Sequence, residues 1–207
     1  MEPPIRVAVL LSGSGTTLQN LLDRIGDGRL HAQIVAVISN NAGAFGLERA
    51  RCANIPAIVV NRKEAGTRAE FSRRIFDECR RARADLVCLC GFLQLIEVPD
   101  DFLGRAMNIH PALIPAFCGQ GYYGHHVHEA VLAYGAKVSG CTVHFVDNQY
   151  DHGPIILQRT VPVLDDDNAD DLAARIFVEE CEAYPQAIEW YAQQKLKIDG
   201  RRVRILP

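Results

Sequence analysis

Asn108 and His110 stand two apart in Ala106-Met107-Asn108-Ile109-His110-Pro111, a short apolar stretch that ends at a proline. Side chains two apart on a strand point the same way. An amide donor and a titratable imidazole therefore share one face, and Met107 and Ile109 take the other. Such a pair can polarise a carbonyl and move a proton. A polar pair at a strand end also often does no more than hydrogen-bond the next loop. The surrounding residues decide between these readings.

The second chemical feature is Ser12-Gly13-Ser14-Gly15-Thr16-Thr17. It follows the continuous apolar run Ile5 to Leu11 and precedes Leu18, Leu21, Leu22 and Ile25 at helical spacing, so it reads as the turn of a strand-turn-helix unit. Backbone N–H groups in such a turn approach an anion where the helix dipole also favours negative charge. Leu18 stands where the dinucleotide fingerprint needs its third glycine. The next strand ends Ile38-Ser39-Asn40-Asn41, without a ribose-binding acid. No Gly-Lys-Ser/Thr follows the turn, so a nucleoside triphosphate loop is absent as well. A monophosphate is the ligand this turn fits.

Three further sets of residues are candidates. Asp151 lies in Asp147-Asn148-Gln149-Tyr150-Asp151-His152-Gly153, between two strand-like runs, where Asp ordinarily forms turns. Glu180 continues the apolar stripe of Leu172 and Ile176; a carboxylate there looks for a cation or a substrate, or else snorkels to the surface. His126-x-His128 has i, i+2 spacing, which a helix does not turn into a metal site, so His125, His126 and His128 read as structural or as supports behind a site. The seven cysteines form no paired framework, and Cys88 and Cys90 lack a second cluster to complete a metal cage. Reduced thiols acting as small hydrophobes are expected.

The elements that must position these residues follow from periodicity. Buried strands are expected at Ile5 to Leu11, Ile34 to Ile38, Ala57 to Val60 and Asp85 to Cys90, with helices near 44–53 and over Arg68 to Arg83. This alternation implies a parallel sheet. Gly91-Phe92-Leu93-Gln94-Leu95-Ile96 is an apolar segment for the core or for a flat pocket. An ordered loop rich in Pro, Gly and aromatics should follow His110, and a helix should run from His125 to about Tyr134. Val138 to Val146 and Pro154 to Val163, joined by a short connection, predict an antiparallel pair. A helix starting at Asp165-Asp166-Asp167-Asn168 should kink or restart at Pro185, and Lys195 to Leu206 reads as a terminal hairpin whose basic residues protect an edge.

With 207 residues, 48% hydrophobic and 23% charged, the chain suits a soluble globular fold, read here as one domain. A formal net charge of −3 gives no global electrostatic case for nucleic acid or membrane and leaves a local patch open. The start, Met1-Glu2-Pro3-Pro4-Ile5-Arg6, shows no signal-peptide pattern, so a cytoplasmic protein acting on a small molecule is expected.

Set out in this way, the chain resembles the folate-dependent glycinamide ribonucleotide formyltransferases over nearly its whole length. The resemblance rests on four motifs. They are Ser12-Gly13-Ser14-Gly15-Thr16-Thr17-Leu18-Gln19, Gly91-Phe92-Leu93, Met107-Asn108-Ile109-His110-Pro111 with Leu113-Ile114-Pro115, and Val143-His144-Phe145-Val146-Asp147 running to Asp151-His152-Gly153-Pro154-Ile155-Ile156. It implies an α/β, single-domain formyltransferase fold over 1–207. The phosphate-binding amino half, about 1–100, would be Rossmann-like and parallel; the catalytic and folate-binding carboxyl half, about 101–207, would contain antiparallel strands.

The resemblance also implies an activity: transfer of the formyl group of 10-formyltetrahydrofolate, a co-substrate, to the amine of glycinamide ribonucleotide in de novo purine biosynthesis. The ribonucleotide phosphate would rest on Gly13, Ser14, Gly15, Thr16 and Thr17, and its amine would meet Glu180. Folate would lie against Phe92, Leu93, Ile96, Asn108 and Asp151. Asn108, His110 and Asp151, with Asp151 near His110, would carry catalysis without a metal or covalent nucleophile, in a monomer or homodimer. The pattern departs from the family at Gln94, where a basic residue is usual, and in the longer 118–125 loop. Methionyl-tRNA formyltransferase and formyltetrahydrofolate deformylase share this core but carry an added domain, for which the expected single domain leaves no room. The alternatives are a formyltetrahydrofolate hydrolase and a noncatalytic phosphometabolite-binding protein.

Overall fold

The structure is a computed structural model and describes residues 3–207. Met1 and Glu2, at the chain start read above for a signal peptide, lie outside the described residues. The chain forms two compact units that divide between Met107 and Asn108.

The first unit runs β1 (Ile5–Leu11), α1 (Thr16–Gly26), β2 (Ala32–Ser39), α2 (Phe45–Cys52), β3 (Ala57–Val59), α3 (Arg62–Ala65), α4 (Arg68–Arg81) and β4 (Leu86–Leu89). Its strands lie in the order β3-β2-β1-β4 and all pair in parallel, as the strand-helix alternation predicts. Val7 to Leu11 are fully buried, which is why β1 reads as an unbroken apolar run. One expectation is corrected here. The stretch 57–60 is not a buried strand: β3 is three residues long, ends the strand order and leaves Val59 42% exposed. An edge strand with one neighbour needs no second covered face. Thr67 caps α4 by accepting from the Glu70 amide. Phe71, Ile75 and Cys79 face the core of this unit, and Arg73 and Arg74 pair with Glu70 on the solvent side.

The division falls inside β5 (Ala106–His110), after which come α5 (His125–Tyr134), β6 (Val138–Phe145), β7 (Ile155–Pro162), α6 (Ala169–Ala192), β8 (Leu196–Asp199) and β9 (Arg202–Ile205). In the second unit the order is β5-β6-β7-β9-β8. The pairs β6–β7 and β8–β9 are antiparallel, and β9 meets β7 in parallel at Ile155 and Arg202. The loop after β5 is irregular and includes a cis Ile114-Pro115 peptide. From Ser139 to Phe145, β6 is buried on both faces, so Thr142 and His144 are interior polar groups that must find partners.

The restart expected at Pro185 is also corrected, because α6 continues through it. A proline inside a helix removes a backbone hydrogen bond and crowds the preceding turn, at a cost of about 3 kcal/mol. Tyr184, Pro185, Ala187 and Ile188 are all buried there on the face that packs against β6 and β7, and burial of each large apolar side chain returns roughly 1.5–3 kcal/mol. Packing therefore outweighs the local rule. At the other end of α6, Asn168 accepts from the Asp170 and Asp171 amides in a capping box, as its acidic start anticipates. All seven cysteines are free thiols.

Candidate active site

The period of β5 places Asn108 and His110 on one face. Asn108 is half-buried and His110 is buried. Asp151 joins them from the loop between β6 and β7, where its φ of 49° lies in the left-handed region that Asp tolerates better than most side chains. Its carboxylate does not form a local turn. It lies with Oδ1 3.3 Å from Asn108 Nδ2 and Oδ2 3.6 Å from His110 Nδ1. The Gly119 amide donates to Oδ2 at 2.9 Å. The turn-forming role falls to Asp147, which accepts from the Gln149 amide at 2.9 Å.

A fourth member, His144, was not singled out from the sequence. Its Nδ1 donates to the Phe145 carbonyl at 2.8 Å, so the neutral ring presents a lone pair at Nε2, and Asn108 Nδ2 lies 3.2 Å from it. Both hydrogens of the Asn108 amide are thus directed inside the cluster, one to His144 and one to Asp151. The available signal was the two-residue period of β6, which puts His144 on the same face as Thr142. Thr142 is itself interior: its hydroxyl donates to the Ala112 carbonyl at 2.7 Å and accepts from the Ile114 amide at 3.1 Å, pinning the loop that follows β5.

His110 Nε2 donates to the Phe117 carbonyl at 2.8 Å, which leaves the Nδ1 lone pair of the neutral ring towards Asp151. Burial lowers the His110 pKa below its ordinary value, against the opposing influence of the Asp151 charge and the Phe117 carbonyl. For Asp151, burial pushes the carboxyl up, but the His110 charge and the Gly119 amide help to hold it below its ordinary value. Neutral pH therefore finds an imidazole ready to take a proton beside a carboxylate ready to stabilise the result.

Glu180 lies half-buried on α6, and desolvation alone raises its pKa to about 7. Burial, followed by the Glu180 charge, raises the thiol of Cys141 on β6 to about 12. Among the described residues Glu180 has neither a cation nor a hydrogen-bond donor, so a bound ammonium would relieve it. His128 is buried, and burial, followed by the charges of His125 and His110, lowers its pKa to about 4. The described residues contain no group of three or more His, Cys, Asp or Glu able to hold a metal ion, and no helix long and apolar enough to cross a membrane.

In the first unit the Gly13 to Thr17 turn leads into α1. Gly15, at φ 71°, packs so closely that a Cβ there would meet Gly46 Cα at 2.7 Å, and the Gly46 amide donates to the Gly13 carbonyl at 3.1 Å. No side chain caps this end of α1, and Gly13, Ser14 and Thr16 are exposed. Arg49 donates from Nε to the Ser14 carbonyl at 2.9 Å and so adds positive charge beside the turn. Ser12 ties the turn to the apolar segment: its amide donates to the Gly91 carbonyl at 3.0 Å, and its hydroxyl accepts from the Leu93 amide at 2.9 Å. Leu93 is 48% exposed, whereas Phe92 and Ile96 are buried and Phe92 stacks on Phe71.

A parallel sheet with an open glycine turn in one unit, and an amide-imidazole-carboxylate cluster in the other, define an α/β group-transfer protein. Residues 5–188 match a protein-family model described as Formyl transferase, and the chain belongs to that family. It is 36% identical over 208 residues to the phosphoribosylglycinamide formyltransferase of Escherichia coli (strain K12), with 96% of each chain covered. It is 44% identical over 187 residues to the trifunctional purine biosynthetic protein adenosine-3 of Drosophila melanogaster, covering 88% of this chain but spanning only 14% of that protein's length. The crystal structure of glycinamide ribonucleotide transformylase 1 from Symbiobacterium toebii matches with a TM-score of 0.93 at 44% identity, over 100% of this chain and 96% of that one. The α/β fold with a parallel amino half and antiparallel strands in the carboxyl half is the formyltransferase fold.

Proposed function

We propose that this chain transfers the formyl group of 10-formyltetrahydrofolate to the amine of glycinamide ribonucleotide, giving formylglycinamide ribonucleotide and tetrahydrofolate. The observation that carries the proposal is the meeting of Asn108 and His110 at Asp151, each within hydrogen-bonding or ion-pairing reach of its carboxylate. Family membership supports it, as do the names of the Escherichia coli and Symbiobacterium toebii relatives.

In this reading the amine attacks the formyl carbon and negative charge collects on the formyl oxygen. Asn108 Nδ2 donates to that oxygen by exchanging its 3.3 Å contact with Asp151, the longer of its two. The proton lost by the amine passes to His110 Nδ1, directly or through water, and Asp151 stabilises the imidazolium. The same proton then reaches the departing folate nitrogen. The Gly13 to Thr17 amides and Arg49 hold the phosphate. Glu180 receives the ammonium form of the substrate and takes its extra proton, which frees the amine lone pair for attack. Leu93 offers folate an apolar surface, and the buried Phe92 and Ile96 fix the backbone behind it. The chemistry needs no metal, and the chain acts on small molecules in the cytoplasm.

Label transfer tests this reading. With formyl-labelled folate and glycinamide ribonucleotide, the label is expected on the ribonucleotide amine. Label recovered as formate would overturn transfer in favour of hydrolysis.

A further inference from the structure

His152, the residue after Asp151, is held at both ring nitrogens. Nδ1 lies 2.6 Å from Asp147 Oδ2, and Nε2 lies 2.9 Å from Arg201 Nη1. A guanidinium only donates. Nε2 therefore accepts, Nδ1 carries the ring proton, and that proton is given to Asp147. Arg201 Nη2 also donates to the His152 carbonyl at 2.7 Å, so one planar fork grips both the side chain and the backbone of this residue. The neighbouring Gly153 is pressed against β6, where a Cβ would meet the Phe145 carbonyl oxygen at 1.8 Å.

Arg201 comes from the turn between β8 and β9, 49 residues away. The parallel pairing of Ile155 with Arg202 brings that turn beside the Asp151 loop. The loop is thus fastened immediately after Asp151, a residue in a left-handed conformation. The hairpin's basic residues accordingly include one with a task beyond edge protection.

We propose that Arg201 is a positioning residue for Asp151, acting through His152, so that the terminal hairpin holds the carboxylate at its distance from Asn108 and His110. Its kinetic consequence rests on the formyl-transfer reading above; its structural consequence does not. Misplacing a catalytic group by about 1 Å can cost on the order of 100-fold in rate, and loss of one clamp from a loop that keeps its other contacts should cost about tenfold.

The experiment compares the full chain with Arg201→Ala, Arg201→Lys and Arg204→Ala, the last of which removes a pair with Asp199 inside the hairpin. Hydrogen exchange is read over 147–153 and at the Gly119 amide, which donates to Asp151. Both should exchange about tenfold faster in Arg201→Ala, less so in Arg201→Lys, and unchanged in Arg204→Ala. Unaltered exchange in Arg201→Ala would overturn the proposal whether or not the chain transfers formyl groups. In the transfer assay Arg201→Ala should lower kcat about tenfold at unchanged KM, and this loss should vanish on an Asp151→Asn background. An equal loss on both backgrounds would assign the effect to general weakening of the fold and overturn the proposal. A wild-type chain without transfer activity would instead count against the functional reading, and exchange would still decide the role of Arg201.

Discussion

Asp151 Oδ1 lies 3.3 Å from Asn108 Nδ2, across 43 residues of chain. The contact joins the end of β5 to the loop between β6 and β7 and makes one cluster of two residues that local rules treat separately. It also engages an Asn108 hydrogen that the proposed reaction would use. Substrate oxygen must therefore compete with Asp151 for the amide.

Asn108→Ala removes the amide that the proposed mechanism aims at the developing oxyanion. Loss of such a donor typically lowers kcat about 100–1,000-fold, and the KM for the ribonucleotide should change little because the phosphate turn is untouched. Steady-state kinetics check this, and a kcat near that of the wild type would contradict the assigned role.

Asp151→Asn should fold normally, since Asn tolerates a φ of 49° as well as Asp does. Activity should nevertheless be crippled. The Asp151 carboxyl is held below its ordinary value of 3.8 and is ionised throughout the neutral range. Its charge is the largest influence raising the lowered pKa of His110. Without it His110 protonates only at still lower pH, so the acid limb of the rate profile should move to lower pH. Residual activity with an unshifted limb would return Asp151 to a loop-forming role.

His144→Phe preserves bulk in the interior of β6 but deletes the acceptor of an Asn108 hydrogen. Leaving a buried donor unsatisfied costs about 1–3 kcal/mol, and because Asn108 is half-buried the loss should fall at the low end of that range. Denaturant unfolding should show that loss, and kcat should fall as Asn108 loses its fixed orientation. Unchanged stability and kcat together would mean that His144 does not orient the amide.

Glu180→Gln should act in opposite directions on stability and activity. The folded carboxyl titrates at about 7, against an ordinary value of 4.5. The folded state therefore loses stability relative to the unfolded chain as pH rises from 4.5 to 7, and the full penalty persists above 7. Gln carries no such penalty. At pH 8 the variant should be more stable by on the order of 1–3 kcal/mol, with water at this half-buried site trimming the gain. At pH 4 the two proteins should be equally stable. Thermal unfolding at both pH values checks this, and the KM for the ribonucleotide should rise. A variant less stable at pH 8 would mean that Glu180 has a partner cation.

Much of this is legible in the sequence because it obeys short-range periods. The two-residue spacing of Asn108 and His110, the glycine turn before Leu18, and the Asn168 cap each express a local rule that the fold respects. The misreadings have the opposite character. Pro185 obeys its local rule until burial beside Tyr184 and Ile188 outweighs it. The stretch 57–60 has the composition of a buried strand, but its exposure is set by its place at the end of the strand order. Asp151 reads as a turn residue because nothing nearby in the chain reveals that its carboxylate reaches Asn108 and His110; only the family resemblance anticipated that proximity. His144 escaped notice for the same reason, since its chemistry depends on an amide from another strand.

Ribonucleotide-dependent release of folate tests the central claim most directly. Purified chain is mixed with 10-formyltetrahydrofolate, and folate absorbance is followed with and without glycinamide ribonucleotide. Tetrahydrofolate should appear only when the ribonucleotide is present, in step with formylated product. Release at the same rate without the ribonucleotide, or no release with it, would contradict the account.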